Sequence, residues 1–259
     1  MRLVLLPLLG AAAAASLCDQ AGWHVDWTED FDALDENVWT LDVGPPGDSR
    51  TRDAEATADS CYVEDGALVI RSTGAWNGSA VENMTSGAVE SKRGFRGPAR
   101  VCVRARLPGA AGGGRGVWPA HWLMPRDASC WPCHGEIDVM EMIDGDGQLH
   151  GTYHWCLNRT CGEGPRHLSS TSFLQLPDDT WSSAWHEYAV EYSTEGIRFA
   201  FDGEFYFTVA ADALLWNTSY YVILNTALGG PWPQQPDETT TFPAFHLVDS
   251  VRVAQPAPS

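Results

Sequence analysis

Gly135-Glu136-Ile137-Asp138-Val139-Met140-Glu141-Met142 sets acids among apolar residues, the pattern of a strand with one buried face and not of a solvated charged surface. On such a strand Glu136 and Asp138 share a face, while Glu141, an odd number of positions along, points the other way. One looped-out residue, Val139 or Met140, restores the parity, and β-bulges of this kind re-aim side chains beside active sites. With that bulge all three acids stand on one face.

The flanking sequence repeats the strand signature. Tyr62 to Ile70 and Ile197 to Phe207 each alternate apolar residues around Asp-Gly, the mark of a tight hairpin. Val101, Val103, Ala105 and Leu107 alternate with Arg100, Cys102, Arg104 and Arg106, a further strand with one apolar face. No long 3.6-residue period is present after the first residues, and the Gly- and Pro-rich stretches 108–115 and 231–243 read as surface loops or cleft rims. The architecture this predicts is all-β, two packed antiparallel sheets in a β-sandwich.

The chemistry follows from the acids. Glu136 and Glu141 have backbones roughly 13 Å apart at ordinary strand rise, a gap that long side chains on a curved sheet can largely close. Retaining glycosidases need two carboxyl groups about 5–5.5 Å apart, one to attack the anomeric carbon and one to protonate the leaving oxygen. Asp138 between them can hydrogen-bond the nucleophile and, by like-charge repulsion, keep a neighbour protonated near neutral pH. A calcium site or a solvated acidic patch is the competing reading, and the interleaved Ile137, Val139, Met140 and Met142 speak against it.

These residues resemble the bulged Glu-x-Asp-x-x-Glu motif of glycoside hydrolase family 16, in its laminarinase-like branch of β-1,3-glucanases. The likeness extends through Glu90-Ser91-Lys92, Arg104 to Pro108, Gly116-Val117-Trp118-Pro119-Ala120-His121-Trp122 and on to Pro125. It continues through Gly151 to Trp155, Trp185 to Tyr192, Tyr221 to Pro233 and Val248 to Val253. It implies Glu136 as nucleophile, Asp138 as its helper, Glu141 as general acid/base, and a curved jelly roll with a concave cleft. It also implies that Trp118, Trp122, His154 and Trp232 line that cleft; an aromatic at strand spacing is equally at home in a core, so about half are expected to meet sugar. Asn225, in an apolar run, bonds either sugar or a neighbouring strand. A structural calcium ion on the convex side, held by Glu29, the Gly66 carbonyl and Asp249, is a further implication, and catalysis requires no cofactor. The chain departs from the family at Phe95-Arg96-Gly97-Pro98-Ala99, where Pro98 predicts a strand that starts later or lies at an edge.

Composition sets the remaining bounds. Met1-Arg2, the apolar run from Leu3 to Leu9 and the alanines from Ala11 to Ala15 read as a secretory signal peptide, residues 1–16, too short to cross a bilayer. Residues 17–259 then form one catalytic domain, expected to act as a secreted monomer. A net charge of −18, from 16 basic against 34 acidic residues, repels nucleic acid and weakly favours a neutral polysaccharide. Seven cysteines leave at least one unpaired within the chain. Cys130 with Cys133 and Cys156 with Cys161 are the local pairs that spacing suggests, a zinc or redox role for Cys130 and Cys133 being the weaker reading. Asn77, Asn83, Asn158 and Asn217 stand in N-glycosylation triplets.

The function expected is a retaining endo-glycosidase that hydrolyses internal β-1,3 linkages of a laminarin-like glucan. Alternatives are a relative acting on mixed-linkage β-1,3-1,4-glucan or algal galactan, a transglycosylase, and a noncatalytic β-glucan recognition protein.

Overall fold

The computed structural model describes residues 15–48, 50–109, 113–126, 130–157, 167–177, 179–210 and 218–258. The leader through residue 14, Cys161 and the asparagines at 158 and 217 lie outside the described residues.

Two sheets make up the fold. The seven-stranded sheet runs in the order β12 (His167–Gln175), β11 (Gln148–Cys156), β10 (Glu136–Glu141), β9 (Val117–Pro125), β16 (Tyr220–Leu228), β7 (Ala88–Ser91) and β2 (Trp39–Leu41). The larger sheet runs β15 (Glu204–Ala210), β14 (Gly196–Phe201), β13 (His186–Ser193), β8 (Ala99–Arg106), β17 (Ala244–Pro256), β5 (Ala67–Trp76), β6 (Val81–Ser86) and β3 (Glu55–Ala56). To it β1 (Trp23–Glu29) adds along β17 and β4 (Cys61–Glu64) along β5. All of these pairings are antiparallel except that of β3 with β6. Helix among the described residues is confined to single turns such as Thr180–Ser183, and none is long and apolar enough to cross a membrane.

Local chemistry explains the joints. Both Asp-Gly turns put two successive residues in the left-handed region, Asp65 and Gly66 at φ 52° and 73°, Asp202 and Gly203 at 46° and 78°. That is the turn whose twist suits a two-residue hairpin, and it joins Glu64 to Ala67 and Phe201 to Glu204 in register. Strand β8 begins at Ala99, directly after Pro98, so the proline never has to supply a ladder donor. It lies between β13 and β17, an interior strand and not the edge that was the other possibility.

The inner faces of the two sheets meet in one apolar core that includes Leu68, Ile70, Val101, Val103, Leu123, Ile137, Tyr153, Tyr188, Phe199, Val222 and Val251. Within it His121 of β9 and His246 of β17 are both fully buried, Nε2 to Nε2 at 2.8 Å. Burial drives both imidazoles toward the neutral form, His246 down to about 3.

The outer face of β8 differs from the simple polar face its alternation suggests. Arg100 and Cys102 are buried there, because residues 17–25 lie across them. Cys18 is disulfide-bonded to Cys102, Arg100 pairs with Glu191 at 2.8 Å, and the Arg100 guanidinium stacks on Trp23 at 4.2 Å.

The local cysteine pairs do not form. Cys133 bonds Cys156 instead, joining the turn ahead of β10 to the end of β11, strands that run side by side. Cys130 is also disulfide-bonded, to a partner outside the described residues. Sequence spacing rewards short loops, but it is strand pairing that brings sulfur atoms together. Cys61 is free and buried, its thiol pushed up to about 12 chiefly by burial.

Candidate active site

Strand β10 is built to show acids on one side and hydrocarbon on the other. Gly135 precedes it at φ 88°, and a side chain there would come within 2.6 Å of the Tyr220 hydroxyl; only glycine suits both the backbone and the space. Along β9, Asp138 pairs with Trp122 and Met140 with His121, which leaves Val139 as the extra residue. Along β11 the register likewise breaks between Asp138, opposite Thr152, and Glu141, opposite His150. Val139 and Met140 both turn into the core, 1 % and 0 % exposed. Glu136, Asp138 and Glu141 therefore line the same cleft, a concavity of about 880 Å³ over the seven-stranded sheet.

Hydrogen bonds distinguish the acids. Trp131 Nε1 donates to Glu136 Oε2 at 2.7 Å, and Trp118 Nε1 donates to Glu141 Oε1 at 3.2 Å. Asp138 is 4 % exposed. Burial first, then the neighbouring Glu136 charge and the hydrogen bond shared with it, push the Asp138 carboxyl well above the usual carboxylate range. Glu141 is held well above it too, by burial and then by Asp138, with Glu136 adding to the effect while His154 and the Trp118 N–H oppose it. Glu141, which holds its proton, thus lines one cleft with Glu136, whose Oε2 accepts an indole N–H, the pairing of groups that acid-assisted displacement uses.

The aromatic expectations meet here as well. Trp118, Trp122, His154 and Trp232 all line the cleft with the acids. Trp118 and Trp232 meet edge to face, ring centroids 5.2 Å apart. His154 Nε2 comes to 3.0 Å from Asp138 Oδ2, near in distance but without the alignment of a hydrogen bond. Its Nδ1 meets His167 Nε2 at 2.8 Å. Asn225 resolves toward protein partners: its Oδ1 accepts from Trp122 Nε1 at 2.8 Å and its Nδ2 donates to the Arg50 carbonyl at 2.8 Å.

Sequence reasoning missed Arg50, Arg52, Trp131, His150 and His167, which also line the cleft. Trp131 lies in the cysteine-rich turn before β10, and Arg50 and Arg52 lie in the loop between β2 and β3. The histidines stand on strands whose register sequence does not give. Only His150 carried a signal, standing four positions before His154 and so on the same strand face.

Two of the expected calcium ligands, Glu29 and Asp249, have protein partners. Both carboxylate oxygens of Glu29 accept N–H groups, from Phe31 at 2.9 Å and Trp39 at 3.0 Å, and Asp249 is paired with Arg104 at 2.7 Å. Among the described residues the acids and histidine that do lie at ligand spacing are Glu136, Asp138 and His154, within 4.8 Å of one another.

A β-sandwich whose concave sheet gathers paired carboxyl groups among tryptophans defines a class of carbohydrate-cleaving enzymes. The chain belongs to glycoside hydrolase family 16: the profile of Glycosyl hydrolases family 16 matches residues 48–242, and the protein is a glycoside hydrolase of jelly-roll fold. It is 29 % identical over 260 residues to a beta-glucanase of Rhodothermus marinus, covering 89 % of this chain and 85 % of that one. With the glucan endo-1,3-beta-glucosidase A1 of Niallia circulans it shares 28 % identity over 90 % of this chain and 38 % of the relative. The laminarinase catalytic domain of Thermotoga maritima superposes with a TM-score of 0.76 at 26 % identity, covering 91 % of this chain and 99 % of that one.

Proposed function

We propose that this glycoside hydrolase cleaves internal β-1,3 linkages of a laminarin-like β-glucan with retention of configuration. The observation that carries the reading is the Val139 bulge, which sets Glu136, Asp138 and Glu141 in one cleft. Glu136 attacks the anomeric carbon while Glu141 gives its proton to the departing glycosidic oxygen. Water, deprotonated by Glu141, then releases the glycosyl-enzyme. Asp138, its carboxyl held well above the usual range, shares a hydrogen bond with Glu136 and so limits the repulsion between the acids. Trp131 and His154 stand beside Glu136 and Trp118 and Trp232 beside Glu141, so aromatic surfaces flank the acid row on both sides, as a chain bound across the acids would use.

The β-1,3 preference is supported by the Niallia and Thermotoga relatives named above. A noncatalytic glucan-binding role is disfavoured, since binding alone needs neither a protonated Glu141 nor an indole-clamped Glu136. Hydrolysis in preference to transfer, and secretion, which rests on the leader pattern at residues 1–16, complete the proposal.

Replacing Glu136 by Gln is expected to cut kcat on laminarin by at least about 10³-fold with sugar binding and thermal unfolding little changed. Turnover within an order of magnitude of the parent enzyme would reject the assignment. Laminarin, mixed-linkage glucan and agarose assayed side by side, with chromatography of the products, test the polymer; longer as well as shorter oligosaccharides would mark a transglycosylase.

A further inference from the structure

The loop between β2 and β3 places two arginines on two of the cleft tryptophans. The Arg50 guanidinium lies over Trp122 at 4.9 Å and that of Arg52 over Trp118 at 5.3 Å. The loop is tied down around them. The Arg50 N–H donates to Asp42 Oδ2 at 2.7 Å and its carbonyl accepts from Asn225. The Arg52 carbonyl accepts from the Gly47 N–H at 2.6 Å, and Asp53 N–H donates to the Leu228 carbonyl at 3.0 Å. Asp53 Oδ2 in turn accepts from Gly230 N–H at 2.9 Å. Arg52 itself sits at φ 61°, a left-handed conformation that a bulky side chain adopts only where its surroundings impose it, and such residues cluster at ligand sites.

The two arginines differ in charge balance. Arg50 is neutralised by Glu90 at 3.0 Å and also meets the Tyr221 hydroxyl. The Arg52 guanidinium has no carboxylate or hydrogen-bond partner among the described residues, in a chain with 34 acids to 16 bases. Asp53, its neighbour in sequence, spends its carboxylate on Gly230 and Gln235. A neutral sugar settling on this surface would strip water from a cation and offer only hydroxyl groups in return. An oxyanion would meet it with the paired hydrogen bonds that a planar guanidinium favours. Trp118, the indole that carries Arg52, also donates to Glu141, so a sugar held there sits beside the acid that protonates the leaving group.

We propose that Arg52 is a specificity-determining residue that reads an anionic substituent, a sulfate ester or a carboxylate, on the sugar bound beside Trp118. This rests on the glycosidase reading above and narrows it: the enzyme accepts neutral laminarin and prefers an acid-bearing β-glucan at this one subsite.

The test compares three polymers at low ionic strength: laminarin, partially sulfated laminarin, and laminarin oxidised at C6 to the carboxylate. The expected result is a kcat/KM on one of the two anionic polymers about tenfold above that on laminarin. That excess should shrink as salt is added, and the polymer that shows it identifies the substituent. In Arg52→Gln the ratio of anionic to neutral kcat/KM should fall below one, because the remaining surface charge is negative, with Arg52→Lys intermediate. A parent enzyme that favours neutral laminarin over both derivatives, or a ratio unmoved by Arg52→Gln, overturns the proposal. If none of the polymers is cut, the glycosidase reading has failed instead. The subsite is then decided by calorimetry with the corresponding oligosaccharides, where equal affinity for anionic and neutral forms, or equal affinity of parent and Arg52→Gln for the anionic form, overturns it.

Discussion

Glu141 keeps its proton because burial and the nearby Asp138 and Glu136 outweigh the two groups that favour its ionised form, His154 and the Trp118 N–H. Removing the Trp118 donor therefore has a definite sign. Trp118→Phe keeps an aromatic wall but takes away a hydrogen bond to the carboxylate, so the Glu141 pKa should rise further. A general acid works only while protonated, so the basic limb of the kcat/KM profile on laminarin should move to higher pH, by about half a unit or more. A limb that stays in place or moves down would show that Glu141 is not the group titrating there. At this scale the sequence was informative wherever strand parity alone sets direction. Glu136, Asp138, Trp118, Trp122 and His154 stand on strands, and each faces the cleft as alternation requires. Trp131, Arg50 and Arg52 arrive from loops, whose course no periodicity encodes.

At the scale of the strand, the function of β10 turns on a single residue. Val139 is surplus to the ladder with β9, so its deletion would leave Glu136, Asp138 and Glu141 at regular two-residue spacing, still on one face. Adding an alanine between Val139 and Met140 also gives an even spacing, but it carries Glu141 two ladder positions further along the strand, roughly 7 Å more from Glu136 than in the parent. Deletion should therefore leave measurable laminarin hydrolysis with stability lowered by about 1–3 kcal/mol for the lost valine packing. Insertion should abolish activity, because the two carboxyl groups can no longer reach one glycosidic bond. Activity in the insertion variant comparable with that of the deletion variant, measured beside urea unfolding curves, would contradict this spacing argument. The bulge itself was legible because the spacing of acids at 136, 138 and 141 makes no sense on a regular strand. Which of Val139 and Met140 it displaced was not, since only the pairing with Trp122 and His121 on the neighbouring strand decides it. The hairpins at Asp65-Gly66 and Asp202-Gly203 were legible for a simpler reason: their turn needs two residues with positive φ, and few dipeptides supply them.

For the whole molecule, the sandwich depends on two imidazoles remaining uncharged between its sheets. His121 and His246 have folded-state pKa values pressed below the ordinary 6.5, the latter to about 3. The unfolded chain takes up protons on both as pH falls below about 6.5, while the folded chain does not. Stability supplied by this pair is thus fully present above that pH and lost between it and about 3, at about 1.4 kcal/mol per pH unit for each histidine. Urea unfolding of parent and His246→Asn between pH 7 and 4 should show a slope of stability against pH that is shallower in the variant by that amount; equal slopes would exclude the histidine from the titration. Sheet order and disulfide partners were beyond the sequence, because both depend on contacts between segments far apart in the chain. The Cys133–Cys156 bond is the sharpest case, and it has a practical corollary. It moors the turn that bears Trp131 to the strand beyond the catalytic one. Opening that one bond, as in Cys156→Ser, would leave the clamp on Glu136 adrift and make a poor catalyst.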